Sequence, residues 1–187
     1  AYRDIVLDIR LDDRFVDLVE EGFDMAIRIT RLESSSLIAR RLAPFTLRLC
    51  AAPRLLAEHG RPDKPQDLAG LPCVIDTNGR WLSHWPFTDR NGQPLSVTVS
   101  GPIEVNSPLA ARAAAIAGLG FAMLPDFIAE PAVESGDLVP LFDDFIPKGG
   151  GIFAIYPHRR YLPAKVRVLV DFLAQWFRDH ERLRAVA

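Results

Sequence analysis

One permanent cation stands inside an apolar run. Residues 16–29 read VDLVEEGFDMAIRI. Phe15, Leu18 and Val19 recur at helical spacing, Gly22 suits the left-handed turn that ends a helix, and Met25, Ala26 and Ile27 open an apolar strand. Arg28 comes next, with Thr30 two residues on. A buried cation needs an anion, either an internal partner such as Asp13 or Asp24 or a small anionic ligand. Position alone favours neither, because structural ion pairs are common. Asp12 and Asp13 end the preceding apolar stretch and are candidates for the same site.

A second anion-seeking feature is independent of the first. "NSP", Asn106 to Pro108, opens a predicted helix whose first N–H groups and dipole end attract negative charge. Asn106 and Ser107 add side-chain donors and acceptors, although plain capping is the commoner role of such residues. Pro125, Asp126 and Phe127 follow another apolar strand. Trp81, Trp85 and Phe87 can line a cleft or fill a core. Arg28 on one lobe and the Asn106–Ser107 helix end on another would together favour a small carboxylate.

Catalytic and metal constellations do not occur in the sequence. There is no Gly-x-Ser-x-Gly elbow and no Walker loop, and Gly118-Leu119-Gly120 follows a helix instead of opening one. His59, His84, His158 and His180 lack metal-ligand spacing, and no cofactor is expected. Cys50 and Cys73 read as two small buried hydrophobes in a reducing compartment. An enzyme is therefore not expected.

The elements that must position these residues alternate in type. Ile5, Leu7, Ile9 and Leu11 alternate with other residues as a half-buried strand; Asp12–Asp13 would cap a helix to Glu21, and a strand follows at Asp24–Ile29. That β-α-β order implies a parallel pair. Two strands, Leu37-Ile38-Ala39 and "FTLRLCAA", lead to the helix "PRLLAEHG" with Pro at its start and Gly at its end. "WLSHWPF" and "LSVTVSG" flank "DRNGQ", a hairpin signal. The helix after Ser107 stops at Gly118; "FAMLP" is a strand; "DFIAEPAVESG" is a short helix interrupted at Pro131; "LVPLF" and "IFAIYP" are strands. Val166, Leu169, Val170, Leu173 and Phe177 mark a closing amphipathic helix from about Pro163. This order fits two α/β lobes, the first interrupted by the second, with residues 1–49 and 157–187 in lobe I and 50–156 in lobe II. The expected crossings are "LRLCAAP" and "FAIYP".

With 187 residues, 49% apolar and 25% charged, the chain has an ordinary globular composition. A net charge of −2 argues against a surface that grips phosphate backbones. No apolar run reaches the roughly 20 residues that cross a membrane. The chain opens almost inside a strand, without Met or signal-peptide layout, and reads as a fragment.

An ordered set of segments resembles the effector domain of LysR-type transcriptional regulators: "DRFVDLVEEGFDMAIRI", "SSLIARRLAPFTLRLCAAPRLLAEHGRP", "LPCVI", "AAIAGLGFAMLPDFIAEPAVESGDLVPLF" and "YPHRRYLPAKVRVLVDFLAQWF". The resemblance covers nearly the whole chain. It implies a periplasmic binding protein-like fold (type 2), two Rossmann-like lobes joined by two crossing strands, here N-terminally truncated by a strand and a helix. It implies a small-molecule effector in the interlobe cleft, with Asp12, Asp13, Arg28, Thr30, Asn106, Ser107, Pro125, Asp126 and Phe127 as contacts. It further implies self-association, as dimers assembling into tetramers, and DNA binding only through an absent N-terminal winged helix-turn-helix. A bacterial cytoplasmic location follows, with no membrane partner. The alternative of the same architecture is an extracytoplasmic solute-binding protein feeding a transporter. A two-lobed enzyme such as a deaminase or dehydratase would need an acid/base pair that the sequence does not offer.

Overall fold

The computed structural model describes residues 4–12, 17–30, 37–79, 81–157 and 163–179. In chain order its elements are β1 (Ala26–Thr30), β2 (Leu37–Phe45), β3 (Leu47–Ala51), α1 (Pro53–His59), β4 (Pro72–Asp76), β5 (His84–Thr88), β6 (Pro94–Thr98), β7 (Ser100–Val105), α2 (Pro108–Ile116), β8 (Phe121–Pro125), α3 (Asp126–Glu134), β9 (Val139–Leu141), β10 (Gly150–Pro157) and α4 (Ala164–Asp179). Short 3-10 turns lie at Pro65–Gly70 and Asp143–Phe145. The chain forms two units, Ala1–Phe45 with Gly149–Ala187, and Thr46–Lys148. In this division the units meet at Phe45/Thr46 and Lys148/Gly149, and β3 and β10 each lie wholly within one unit.

In the first unit, β10 lies between β1 and β2 and pairs antiparallel with both. Side chains alternate across a strand, so Ala26 and Arg28 share the face of their partners Ile155 and Phe153. Phe153 and Ile155 pack there with buried Leu18, with Phe23, Ala26 and Ala39 around them. The amphipathic α4 packs on β2 and buries Val166, Val170 and Ala174. Arg40 reaches Asp171 on that helix, and Lys165 Nζ lies 2.5 Å from Asp24 Oδ2.

The β-α-β expectation needs correcting. Residues 5–11 form no strand, and Val6 and Leu11, on opposite alternating faces, are both 95% exposed, so neither face is covered along its length. Among the described residues β1 pairs antiparallel with β10 and has no parallel neighbour. The start of the expected Asp12–Asp13-capped helix lies outside the described residues; in the turn after it Asp17 Oδ1 accepts the Val19 and Glu20 N–H groups at 2.8 and 3.1 Å. Those bonds hold its carboxyl below the usual range. The turn closes at Gly22, which takes φ 72° as its glycine predicted.

The second unit is three layers. Its sheet runs β7-β4-β8-β3-β9; β4 is parallel to β7 and β8, while β3 is antiparallel to β8 and β9. The period-2 alternation splits its core cleanly. Leu49, Ala51, Cys73, Ile75, Phe121 and Met123 face α1, the Pro65–Gly70 turn and the β5–β6 hairpin, whose Trp85, Phe87, Val97 and Leu95 fill that side. Cys50, Val74, Ala122 and Leu124 face the other way, against Ala111, Ala114, Ala115, Ala129 and Ala132 of α2 and α3. The alanines let these helices lie close to the sheet.

Punctuation residues behave as their chemistry dictates. The α2 helix ends on Gly118 at φ 66°, with Gly118 N–H to Ala115 O and Leu119 N–H to Ala114 O, the double bond pattern of a Schellman cap. Asp89 accepts the Asn91 and Gln93 N–H groups and so organises the hairpin loop. Pro131 does not interrupt α3, which runs unbroken from Asp126 to Glu134. "LSVTVSG" is two strands, since β6 pairs with β5 whereas β7 joins the large sheet beside β4.

Candidate functional site

Because β4, β7 and β8 are mutually parallel through β4, their carboxyl ends share one edge of the second-unit sheet. Ligands in such sheets bind where loops leave that edge. Three loops leave here: Asp76–Gly79 after β4, Asn106–Ser107 after β7, and Asp126–Phe127 after β8. Antiparallel β3 starts where β8 ends, with Leu47 opposite Pro125, so Thr46 enters at the same edge.

The first two loops are stitched together. Thr77 N–H and Oγ1 both donate to Val105 O, at 2.7 and 3.1 Å, and Asn78 Nδ2 donates to the Asn106 carbonyl. Asp76 Oδ1 accepts the Asn78 N–H at 3.0 Å. Sequence reasoning missed Asp76, Thr77 and Asn78. Their signal was the polar "DTNG" directly after the apolar strand "LPCVI", but only the parallel pairing of β4 with β7 makes them neighbours of Asn106. Ser107 stands at the N-cap position of α2 in extended conformation, and its hydroxyl makes no capping bond. Asn106 is exposed and Ser107 half-buried.

Asp126 is the buried charged residue of the described core, 5% exposed. Its Oδ2 accepts the Thr46 N–H at 2.9 Å and its Oδ1 accepts the Phe127 N–H at 2.8 Å. Its own N–H donates to Thr46 O at 3.0 Å. Burial pushes its carboxyl upward, opposed by these two N–H donors and by the Arg48 charge, while Glu130 acts in the upward direction. Arg48 Nη1 lies 3.2 Å from Glu130 Oε2, an ion pair whose geometry does not make a hydrogen bond. Asp126 thus spends both oxygens on backbone groups, while Pro125 and Phe127 on either side are half-buried.

The other predicted residues separate. Arg28 is half-buried at the middle of β1, opposite Phe153, in the first unit. Its charge contributes weakly to holding the Asp17 carboxyl down, and Asp24 is engaged by Lys165. Thr30 ends β1, Asp12 is exposed, and Asp13 lies outside the described residues. Trp85 and Phe87 are each 1% exposed and fill the second-unit core, the second of the two roles their sequence allowed, in place of cleft lining; Trp81 packs partly against the same cluster. Both thiols are buried, and burial pushes each up to about 12. They face opposite sides of the sheet, so they cannot pair. Among the described residues no cluster of His, Cys, Asp and Glu has the arrangement to hold a metal, and no helix is long and apolar enough to cross a membrane.

Residues 1–178 match the family model of the LysR substrate binding domain. The chain belongs to the LysR substrate-binding domain family. It is 35% identical to the HTH-type transcriptional regulator DmlR of Escherichia coli K12 over 181 residues, 96% of this chain and 58% of DmlR. It is 30% identical to the HTH-type transcriptional regulator CrgA of Neisseria meningitidis serogroup C, over 93% of this chain and 58% of CrgA. The LysR-family chain therefore spans a little over half the length of these relatives. The solved CrgA regulatory domain superposes with TM-score 0.71 at 30% identity, covering 85% of this chain and 78% of that one. Full-length AphB, the Vibrio cholerae virulence activator, superposes with TM-score 0.78 at 27% identity, over 94% of this chain and 59% of AphB. The mixed α/β architecture is that of LysR regulatory domains, type 2 periplasmic binding protein-like. The relatives are named as transcriptional regulators, not enzymes.

Proposed function

We propose that this LysR-family domain senses a small carboxylate-bearing effector held in a cleft between its two units, and that it does so within a DNA-binding transcription regulator. The observation that carries the reading is the carboxyl edge of the second-unit sheet, where α2 begins without a side-chain cap. Its first N–H groups present a positive end to a carboxylate. Asn106, Ser107, Pro125 and Phe127 border that place, and Arg28 with Thr30, Asp12 and Asp13 would contribute from the first unit. Asp126, with both oxygens turned to backbone, would act through the loop instead of touching the effector.

In this reading the effector favours one arrangement of the units over another. A near-complete switch takes a differential affinity of about 5.5 kcal/mol. The domain would also carry contacts between subunits, as dimers and tetramers of the whole regulator, and its DNA contacts would come from a helix-turn-helix such as the relatives' names imply. A cytoplasmic place of action follows from that role.

A thermal-shift screen of small mono- and dicarboxylates and amino acids tests the reading. An effector at a hundred times its Kd adds about 2.7 kcal/mol to folding, several degrees of melting temperature. Calorimetry on Arg28→Ala should then show strongly weakened binding with the melting transition intact. Retained affinity removes Arg28 as the anchor, and a screen without any shift removes the carboxylate.

A further inference from the structure

We infer that Asp126 is a positioning residue for the first chain crossing: its carboxylate grips the peptide that joins the two units and thereby restricts how freely they turn about it. The inference rests on the reading that the two units move relative to one another. Phe45 is the last residue of the first unit and Thr46 the first of the second. The Thr46 N–H lies in the same peptide plane as the Phe45 carbonyl, so fixing that N–H fixes the plane through which the chain passes.

Asp126 is eighty positions further along the chain, yet it holds Thr46 from both sides. Its Oδ2 accepts the Thr46 N–H at 2.9 Å, and its backbone N–H donates to Thr46 O at 3.0 Å. A charged acceptor in a part-buried bond is among the stronger clamps a side chain can make. The second oxygen accepts the Phe127 N–H at 2.8 Å, which orients the carboxylate toward Thr46. The two donors reach different oxygens, so both carboxylate oxygens must accept, whereas in asparagine one of those positions is an NH2 donor. Arg48 and Glu130 pair with each other beside it, so Asp126 is not consumed by a cationic partner of its own.

The return crossing is built differently. Lys148 is followed by Gly149, which takes φ 106°, a conformation open to glycine. Gly150 and Gly151 already pair within the first unit's sheet, where the Gly150 carbonyl accepts from Arg41 Nη2 at 2.9 Å. At Gly150 a Cβ would lie 2.4 Å from Phe45 Cε1 and 2.8 Å from Phe45 O, so the absence of a side chain also lets the two crossings run side by side within the first unit's sheet. The first crossing is held at Thr46 by the Asp126 carboxylate, whereas the return crossing passes through Gly149 into β10. The Asp126 clamp therefore limits the pivot at the first crossing. It joins the loop Pro125–Phe127 of the proposed effector site to the crossing itself.

The experiment uses this chain with spin labels at Ala57→Cys on α1 and Arg167→Cys on α4, both exposed, the native thiols being buried. Pulsed dipolar spectroscopy then reads the spread of distances between the units, and amide hydrogen exchange reads Thr46. Asp126→Ala should speed Thr46 exchange roughly ten- to a hundredfold and broaden the distance distribution, with Asp126→Asn intermediate. Asp137→Ala, near the far end of α3, should leave both as in the parent. An unchanged distribution in Asp126→Ala overturns the inference even if Thr46 exchanges faster, because the carboxylate would then be a local cap. If circular dichroism shows Asp126→Ala unfolded, an unchanged distribution in Asp126→Asn overturns it equally. So does a Thr46 amide that exchanges in the parent as fast as an unbonded one. No effector is added, so these outcomes are separate from failure to find a ligand.

Discussion

Two glycines flank one cysteine backbone, and they should differ sharply in their tolerance of a methyl group. Gly101 on β7 approaches β4 so closely that a Cβ would lie 1.7 Å from Cys73 O and 2.6 Å from both Cys73 C and N. Gly120, just ahead of β8, approaches the same strand from the other side, but a Cβ there would be 2.8 Å from Pro72 O and 2.9 Å from Cys73 C. Ordinary contact begins at 3.4 Å, so Gly101→Ala must open the β4–β7 pair by more than an ångström. The obstruction is backbone, which has no rotamer to retreat into. The register between β4 and β7 already shifts between Pro72 and Val74, so the slack has been used. Peeling this edge strand would lose two or three ladder bonds at about 1 kcal/mol each, with local repacking on top, for a total of about 2–4 kcal/mol. For a chain of this size that is a fall in melting temperature of about 5–15 °C. Gly120→Ala needs a shift of only some tenths of an ångström and should cost about 1–2 kcal/mol. Urea unfolding followed by tryptophan fluorescence measures both. The reasoning is refuted if Gly101→Ala unfolds within about 0.5 kcal/mol of the parent, or if Gly120→Ala proves the more damaging.

Other outcomes follow from the same structure. Trp85→Ala removes a fully buried ring from the hairpin side of the core and should cost about 3–5 kcal/mol, whereas Trp81→Ala, partly exposed, should cost far less; paired urea titrations compare them. Since burial pushes both thiols up to about 12, neither Cys50 nor Cys73 should react with an aromatic disulfide reagent at pH 8 while the chain is folded, and both should react in strong urea. Asp126 has a folded-state pKa above its unfolded value. Its contribution to stability is therefore full below the ordinary carboxylate range and falls as pH rises through the raised pKa. Unfolding free energies of the parent relative to Asp126→Asn should decline across that window; a difference that grows with pH contradicts the raised pKa.

Elements marked by local chemistry are legible in the sequence itself. The Pro53 start and Gly60 end of α1, the Pro108–Gly118 bounds of α2, the Asn91-Gly92 loop and the apolar stripe of α4 each depend on residues a few positions apart. The ordered LysR-like segments are legible for the same reason, as strings. Residues 5–11 mislead because alternation signals a strand only if one face is covered along its length, and here Val6, Leu7, Ile9 and Leu11 all stay exposed. Trp85 and Phe87 allow two readings that sequence cannot separate, since an aromatic ring looks the same on either side of a hairpin until the hairpin has a sheet to pack against.

What the sequence determined by itself was the set of pieces and their family: turns, caps and periodicity arise from steric and hydrogen-bonding rules that act within about one turn of chain. What tertiary structure alone decided was who meets whom. The antiparallel seat of β1, the opposite faces of Cys50 and Cys73, the stitching of Asn78 to Asn106 and the grip of Asp126 on Thr46 all join residues far apart in the chain. Such pairings are selected by burial of whole faces, a property of the assembled layers that no short stretch contains.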